Sequence, residues 1–307
     1  MITLSHILRI VEIRTKIVSL SGVAIGTSYV WYRYADLELP TLVVYVAAVL
    51  AVDMATTGFN TFFDYYFGVD RRETNREADK VLVHQGVAAG PALLVSLALY
   101  AVAGVLGLVL AFIASPWVIP IGAVSMAIGF LYNAGPIPIS RTPVGDLVAG
   151  GFLGWVLVTL TIFVLAPGRM HLNDVLVGIP SLLMVASILT VNNTCDLIGD
   201  RAAGRRTLSI VVGRHWSERI IYILGAAAGT TLIVLVVSGI LPSLTVLTLA
   251  SALGVILPTY RHMHRRGFSH RTKGPSMASI STVFGAYTLG VVIPLILSAA
   301  GFTLPLP

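Results

Sequence analysis

Long apolar segments alternate with short polar segments along almost the whole chain. Nine of these segments are apolar over the roughly 20 residues that a helix needs to cross the hydrocarbon core of a bilayer. They occupy residues 14–33, 41–66, 90–113, 117–133, 145–166, 174–195, 219–239, 242–260 and 278–299. Glycine and proline residues between them supply breaks. The pattern predicts an all-α, polytopic membrane protein with about nine transmembrane helices in a single domain over residues 1–307.

The composition agrees with a membrane protein. Of the 307 residues, 56% are hydrophobic and only 11% are charged, and the mean hydropathy is +0.88. A soluble domain has about 25% charged residues, so this chain has too little charge to cover a soluble core of its size. The net charge is +6. In a membrane protein the location of the basic residues matters more than their sum, so this charge does not predict a nucleic-acid partner. No cleavable signal peptide is evident, so the first apolar segment is expected to be retained.

The basic residues predict the orientation in the membrane. If nine helices alternate from a cytoplasmic N-terminus, all but two of the 20 Lys and Arg residues lie on the cytoplasmic side. The two exceptions are Arg33 and Arg169. This asymmetry predicts a multi-pass protein of a bacterial or archaeal cell membrane with its C-terminus outside. The basic cluster over residues 261–273 is expected to bind anionic lipid headgroups. The sequence leaves the oligomeric state open.

A weak internal repeat links two polar motifs. Asn60-x-x-x-Asp64 ends the second predicted helix, and Asn192-x-x-x-Asp196 ends the sixth. Each motif continues into another aspartate and a basic loop, with Asp70 in residues 60–70 and Asp200 in residues 192–200. A separation of four helices predicts two pseudo-repeated four-helix halves, plus one extra helix, around a central cavity. Both motifs would then face each other at the cytoplasmic end.

The motifs contain the oxygen ligands that Mg²⁺ prefers, and Mg²⁺ is usually shared between a few carboxylates and substrate phosphates. Residues four apart lie on one face of a helix. The predicted metal ligands are Asn60, Asp64, Asp70, Asn192, Asp196 and Asp200. Nearby basic side chains would neutralise the remaining phosphate oxygens: Arg71, Arg72, Lys80, Arg201, Arg205 and Arg206. A solvated helix cap explains one such cluster, but two matching clusters favour a metal-bridged diphosphate.

The paired motifs are similar to those of the UbiA superfamily of intramembrane prenyltransferases. The stretch from Asn192 to Leu208 resembles the second motif of the branch that prenylates 1,4-dihydroxy-2-naphthoate in menaquinone biosynthesis. Tyr132-x-x-Gly135-Pro136 is similar to a Tyr-x-x-Gly-Pro element of that branch, and residues 53–60 resemble the second helix of some members. Cys195 departs from the pattern, since many members of the branch have arginine there. Arg201 and Arg141 are the alternatives for that role.

The resemblance implies a mechanism. Mg²⁺ held by Asp64, Asp70, Asp196 and Asp200 would bridge the diphosphate of a prenyl diphosphate and stabilise its leaving charge, with Asn60 and Asn192 as ligands or orienting groups. Lys80, Arg141 and Arg201 would contact phosphate. Tyr132 would stabilise an allylic cation through its π-face, with Phe63 and Tyr66 as alternatives. An aromatic acceptor then attacks, and in the naphthoate branch it loses CO₂.

Asp53 lies alone in the second predicted helix. It precedes Asn60 by two turns, roughly 10 Å along the same face. A lone acid inside the membrane predicts a functional role, here contact with the acceptor or ordering of water. The alternative is a hydrogen bond with a serine or threonine of a neighbouring helix.

Other functions fit parts of the pattern. The acceptor could instead be a hydroxybenzoate, a homogentisate or a specialised aromatic metabolite. A secondary transporter would place acids near the midplane of several helices, whereas these acids cluster at helix ends. A membrane phosphotransferase would have one acidic motif rather than two matched ones.

Overall fold

The computed structural model describes residues 3–69 and 80–303, and every regular element in them is helical. The α-helices are α1 (Leu4–Ile10), α2 (Ile17–Tyr34), α3 (Leu39–Tyr66), α4 (Val81–His84), α5 (Ala89–Ile113), α6 (Val118–Asn133), α7 (Gly145–Ala149), α8 (Leu157–Leu165), α9 (Ile179–Cys195), α10 (Leu197–Ala202), α11 (Leu208–Val212), α12 (Arg214–Val237), α13 (Leu244–Arg266) and α14 (Lys273–Ala299). Four 3₁₀ segments (Ile13–Lys16, Ile139–Arg141, Leu172–Gly178 and His270–Thr272) and the π-helical segment Gly150–Val156 complete the described elements.

Each predicted apolar segment coincides with a long helix or with consecutive helical elements. By length and composition, seven helical stretches in the described part of the chain can cross a membrane. Helix α6 is apolar but shorter, and α2 is not among the seven. The all-α, multi-pass architecture is therefore confirmed. The count of nine, the central cavity, the single-domain extent and the orientation of the termini stay predictions.

The two largest clusters of buried apolar residues in the described part of the chain link most of the long helices. The larger cluster joins α9, α12 and α14, and the smaller one joins α3, α5 and α6. Helices α2 and α8 contribute residues to both clusters, so they link the two regions. Each helix that carries an Asp-rich motif packs on the next long helix of the chain, α3 on α5 and α9 on α12. This correspondence agrees with the predicted repeat.

Helix α9 approaches the π-helical segment closely because that segment contains glycine. A Cβ atom on Gly150 would lie 2.5 Å from the carbonyl oxygen of Leu182, and one on Gly154 would lie 2.4 Å from its nitrogen. Small residues are what allow helix backbones to approach this far in a membrane. The contact fixes α9, and hence the second Asp-rich motif, against the chain that follows Asp146.

Candidate active site

The first Asp-rich motif lies at the end of α3. Asn60 and Asp64 are one helical turn apart, and both are half-buried. Gly68 then adopts a φ of +68°, which glycine accepts without a Cβ clash, and the chain leaves the helix there. Asp70 and Arg72 lie outside the described residues, so their predicted roles stay predictions.

The second motif spans the end of α9 and the start of α10. Asn192 is half-buried, and Asp196 follows it by one turn. The Asp196 carboxylate accepts a hydrogen bond of 2.6 Å from Lys273 Nζ, and its other oxygen lies 3.3 Å from His270 Nδ1. The 3₁₀ segment before α14 and the first residue of α14 thus each supply one partner to this motif from more than 70 residues away in sequence.

Arg205 connects the second motif to the segment between α6 and α7. Its Nη1 donates to Asp200 Oδ1 over 3.0 Å, and its Nη2 donates to the carbonyl oxygen of Ser140 over 3.1 Å. The next residue, Arg206, donates its backbone N–H to the carbonyl oxygen of Arg141 over 2.8 Å. These bonds hold the loop after α10 beside the Ile139–Arg141 turn.

The two Asp-rich motifs meet at this point. Asp64 of the first motif interacts electrostatically with Arg205, which belongs to the loop after the second motif. Asp64 also interacts with Arg141 and with Tyr132, near the end of α6. The Arg141 guanidinium stacks over the Phe67 ring, with its Cζ 4.7 Å from the ring centroid. The structure therefore brings Asp64, Tyr132, Arg141 and Asp200 together around Arg205, and their shared role in one site stays a prediction.

Burial perturbs the titration of these groups. Removal from water raises the pKa of Asp200 to about 6, although Arg205 opposes the shift. Burial also lowers the pKa of Arg141, against the effect of Asp64. For Arg205, burial acts to lower the pKa, but the two carboxylates outweigh it and the pKa is raised. The opposite charges at the site stabilise each other in a poorly hydrated environment.

Several buried polar atoms of the site have no hydrogen-bond partner in the described part of the protein. They are Asp200 Oδ2, Arg141 Nη2 and Arg205 Nε. An unpaired buried polar group costs about 1–3 kcal/mol, and a charged one costs more. Buried polar atoms in folded proteins normally have a hydrogen-bond partner, so these three atoms indicate that a ligand supplies one. A single ligand that carries both a metal ion and phosphate oxygens would satisfy both kinds of atom.

The described carboxylates are not assembled as a metal cage. Within residues 3–69 and 80–303, no three His, Cys, Asp or Glu side chains are grouped to hold a metal ion. Asp196 is engaged by Lys273, and Asp200 by Arg205. The donor chemistry still fits Mg²⁺, since these residues offer hard oxygen ligands and Asp200 Oδ2 is unpartnered.

Two of the predicted phosphate-binding cations, Lys80 and Arg201, have no contact with Asp64 or Asp200 among the interactions described above. Lys80 Nζ is 3.1 Å from Glu12 Oε1, so the segment before α4 is tied to the chain after α1. Arg201 is exposed on α10. Arg205, one of the six basic residues near the motifs, has the central position instead. The sequence indicates this position only weakly. Arg205 follows Asp200 by five residues across a loop, and whether two such side chains meet depends on the conformation of that loop.

Asp53 is bound by residues of the neighbouring α2 region. Lys16 Nζ lies 2.7 Å from Asp53 Oδ1, and Ser19 Oγ donates to Oδ2 over 2.6 Å. The Thr57 hydroxyl accepts from Lys16 as well. Lys16 is 2% exposed, so this is a buried ion pair between α3 and the start of α2. The serine contact matches the structural alternative, while contact with an acceptor stays a prediction.

Sequence reasoning missed a second buried acid. Asp146, in α7, accepts hydrogen bonds from Asn193 Nδ2 over 2.5 Å and from Thr190 Oγ1 over 3.0 Å. It is 3% exposed and ties α7 to α9 where the second motif begins. The signal was available, since Asp146 is a lone acid beside an apolar segment, as Asp53 is.

Comparison with known sequences identifies the family. The sequence pattern of the UbiA prenyltransferase family matches residues 19–277, which include both Asp-rich motifs. The chain belongs to the UbiA prenyltransferase family. One relative, the 1,4-dihydroxy-2-naphthoate octaprenyltransferase of Bacillus subtilis (strain 168), is 31% identical over 225 residues, which cover 73% of this chain and 71% of that protein. The predicted resemblance is thereby confirmed.

Two further relatives of this UbiA family member extend the comparison. The UbiA prenyltransferase domain-containing protein 1 of Xenopus tropicalis is 30% identical over 202 residues, 65% of this chain; the match spans 57% of that protein, less than two thirds of its length. The structure of a UbiA homolog from Archaeoglobus fulgidus bound to DMAPP and Mg²⁺ aligns with a TM-score of 0.64 at 14% identity, over 92% of this chain and 99% of that chain. At this identity the likeness establishes a shared fold.

Proposed function

We propose that this protein transfers a polyprenyl group from a Mg²⁺-bound prenyl diphosphate to an aromatic acceptor, and that the acceptor is 1,4-dihydroxy-2-naphthoate. The observation that carries the proposal is the set of buried, unpartnered atoms on Asp200, Arg141 and Arg205. A carboxylate oxygen without a donor can bind a metal ion. A guanidinium N–H without an acceptor can bind phosphate. A metal-bridged diphosphate supplies both partners at once.

The proposed metal ligands come from both motifs: Asn60, Asp64, Asp70, Asn192, Asp196 and Asp200. When bound, Mg²⁺ would supply Lewis-acid stabilisation of the charge that develops on the leaving diphosphate. Arg141 and Arg205 would donate hydrogen bonds to phosphate oxygens. Lys273, which contacts Asp196, is a further candidate for phosphate contact. Lys80, Arg201 and Arg72 stay candidates for further phosphate contacts.

The reaction needs one bond to break at the prenyl donor and one to form at the acceptor. The C1–O bond of the prenyl diphosphate breaks, and its electron pair leaves with the diphosphate. The π-face of Tyr132 would stabilise the allylic cation that remains. A ring carbon of the acceptor forms the new C–C bond, and the ring carboxylate departs as CO₂, leaving its bonding electrons in the ring. The products are the prenylated naphthalenediol, CO₂ and diphosphate.

The choice of acceptor has separate support. The Bacillus subtilis relative bears the name of a 1,4-dihydroxy-2-naphthoate octaprenyltransferase, which suggests a role in menaquinone biosynthesis. A hydroxybenzoate, a homogentisate or a specialised aromatic metabolite is the alternative. Asp53 is the candidate for acceptor contact, although both of its oxygens already bind Lys16 and Ser19.

The proposal is tested by turnover in detergent or in membranes with Mg²⁺, a radiolabelled polyprenyl diphosphate and each candidate acceptor in turn. The variants are Asp64→Ala and Asp196→Ala. Asp36→Ala is the matched control, since Asp36 is exposed, pairs with Arg169 and precedes α3, whose other end carries Asp64.

We expect the prenylated naphthalenediol to form only with Mg²⁺, and to be lost in both site variants but retained in the control. Binding of the diphosphate without product from the naphthoate would mean that the acceptor is wrong and the class is right. Neither binding nor turnover in a folded sample would contradict the proposed function.

A further inference from the structure

A recess opens between α12 and α13, and no residue of the Asp-rich motifs lines it. Its volume is about 490 Å³. The start of α12 contributes Arg219 and Tyr222, and the end of α13 contributes Tyr260, Arg261, His264 and Arg265. The proposed prenyl-transfer mechanism uses none of these residues. We call this feature the α12–α13 recess.

Positive charge dominates the recess. Three of its lining residues are arginines, and one, Glu218, is acidic. The arginines Arg219, Arg261 and Arg265 are exposed, and none of them forms an ion pair with a residue that the structure describes. Arg219 instead stacks on Trp216, with its Cζ 4.8 Å from the ring centroid. The recess is therefore lined by guanidinium groups whose charge no described carboxylate neutralises.

An aromatic surface lies beside these arginines. The Tyr222 ring meets the Tyr260 ring edge-on at 5.3 Å between centroids, and it meets the His264 ring at 6.1 Å. The Tyr222 hydroxyl is buried and makes no hydrogen bond to any described residue. A buried hydroxyl without a partner is unfavourable, so this group is available to a ligand in the recess.

The surroundings of the recess indicate that it lies at the membrane–water interface. Helices α12 and α13 are both apolar enough to span a bilayer. The exposed apolar residue Ile223 follows Tyr222 in α12, and exposed Leu257 lies one turn before Arg261 in α13. From the end of α13 the chain runs directly to His270 and Lys273, the partners of Asp196. The recess thus lies at the same end of the bundle as the Asp-rich site, and exposed Trp216 beside it is typical of the membrane interface.

We propose that the α12–α13 recess binds the phosphate of an anionic phospholipid headgroup. Arg219, Arg261 and Arg265 would donate to the phosphate oxygens, and the Tyr222 hydroxyl would donate a further bond. Guanidinium groups suit this ligand because their planar N–H groups match phosphate oxygens in pairs. The neighbouring apolar helix surfaces would contact the acyl chains, which favours a lipid over a free phosphate ion as the source. An anionic headgroup is favoured over a zwitterionic one because the recess already carries excess positive charge.

The test measures lipid binding by the purified full-length protein in neutral detergent. Phosphatidylglycerol, phosphatidylcholine and inorganic phosphate are added separately, and retained lipid and the thermal unfolding midpoint are recorded. The double variant Arg261→Gln/Arg265→Gln removes two charges from the recess. The double variant Arg33→Gln/Arg169→Gln is the charge-matched control, because both of its positions lie outside the recess. Tyr222→Phe is a milder variant that keeps the packing of the ring.

We expect phosphatidylglycerol to be retained and to raise the midpoint. Loss of the two recess arginines should weaken its binding by at least about tenfold, given the usual attraction of each basic residue to anionic lipid. Tyr222→Phe should weaken it by a few-fold, and the control should leave it unchanged. Equal binding of phosphatidylcholine, full stabilisation by inorganic phosphate alone, or equal losses in the two double variants would overturn the proposal.

Discussion

Asp146 and Asp200 are both almost fully buried, yet their surroundings differ. Both oxygens of Asp146 accept hydrogen bonds, from Asn193 and Thr190. Asp200 has one oxygen bound to Arg205, while its other oxygen is buried without a partner in the described structure. A satisfied carboxylate fixes the helices that surround it. A half-satisfied carboxylate beside unpartnered arginine atoms can accept a ligand, so we propose that Asp146 has a structural role and Asp200 a functional one.

The largest effect is expected for Asp200→Asn. This change keeps the size of the side chain and a hydrogen bond to Arg205 but removes the charge that would bind the metal. We expect turnover to fall by about 10³-fold, or ~4 kcal/mol of transition-state stabilisation, while the protein still folds. Turnover per folded molecule, with the folded fraction taken from size exclusion, measures this. Turnover within threefold of the unchanged protein would put Asp200 in the same structural class as Asp146.

Lys16→Met tests the buried ion pair between Lys16 and Asp53. It leaves the Asp53 carboxylate without its lysine partner, and breaking a buried pair in this way costs about 3–5 kcal/mol. We expect a clearly lower unfolding midpoint, and substantial recovery in Lys16→Met/Asp53→Leu, because the double change removes both charges. An unchanged midpoint in the single variant would show that the pair contributes little to stability.

A companion variant, Asp53→Asn, tests the acceptor role predicted for Asp53. If it keeps full turnover and the same KM for the acceptor, that prediction is wrong and the residue serves packing alone.

Asp146→Ala should destabilise the protein by about 2–3 kcal/mol, since it leaves Asn193 and Thr190 without their acceptor in the core. Asp146→Asn should recover part of the loss by accepting one hydrogen bond. Turnover per folded molecule should change only a few-fold in both variants. Thermal unfolding in detergent checks the first expectation. A loss of turnover as large as that of Asp200→Asn, at unchanged stability, would break the contrast between the two acids.

The smallest effect concerns pH. Burial raises the pKa of Asp200 to about 6 from an ordinary value near 4, so between these values the folded protein holds a proton that the unfolded chain has released. Stability of the protein without ligand should therefore fall as pH rises from about 4 to about 6, and this contribution should then level off. Unfolding midpoints of the unchanged protein and Asp200→Asn across this range measure it. Identical pH profiles of the two proteins would contradict the assignment.

Local sequence patterns were sufficient for much of the fold. The nine apolar segments predict where the long helices lie, because length and apolar composition are local properties of a membrane helix. The Asn-x-x-x-Asp spacing likewise predicts that Asn60 lies one turn before Asp64, and Asn192 one turn before Asp196. Where the chain leaves α3, Gly68 adopts the positive φ that only glycine accepts readily.

The remaining features depend on contacts between distant segments. Lys273 is 77 residues from Asp196, and no local spacing relates them. Lys16 and Asp53 pair because α2 packs beside α3, and Arg205 reaches Ser140 because two loops share one end of the bundle. Such partners follow from packing, so the sequence could name the carboxylates and candidate cations but not which of them pair with each other.

We propose that the two Asp-rich motifs together form one binding site for Mg²⁺ and a prenyl diphosphate. The most direct measurement is binding of a radiolabelled prenyl diphosphate, without acceptor, as a function of Mg²⁺ concentration, to the unchanged protein and to Asp64→Ala, Asp200→Ala and Asp36→Ala. We predict Mg²⁺-dependent binding that chelation abolishes, that is lost in both site variants and that persists in Asp36→Ala. Binding that is independent of Mg²⁺, or equal in all four folded proteins, would contradict the account.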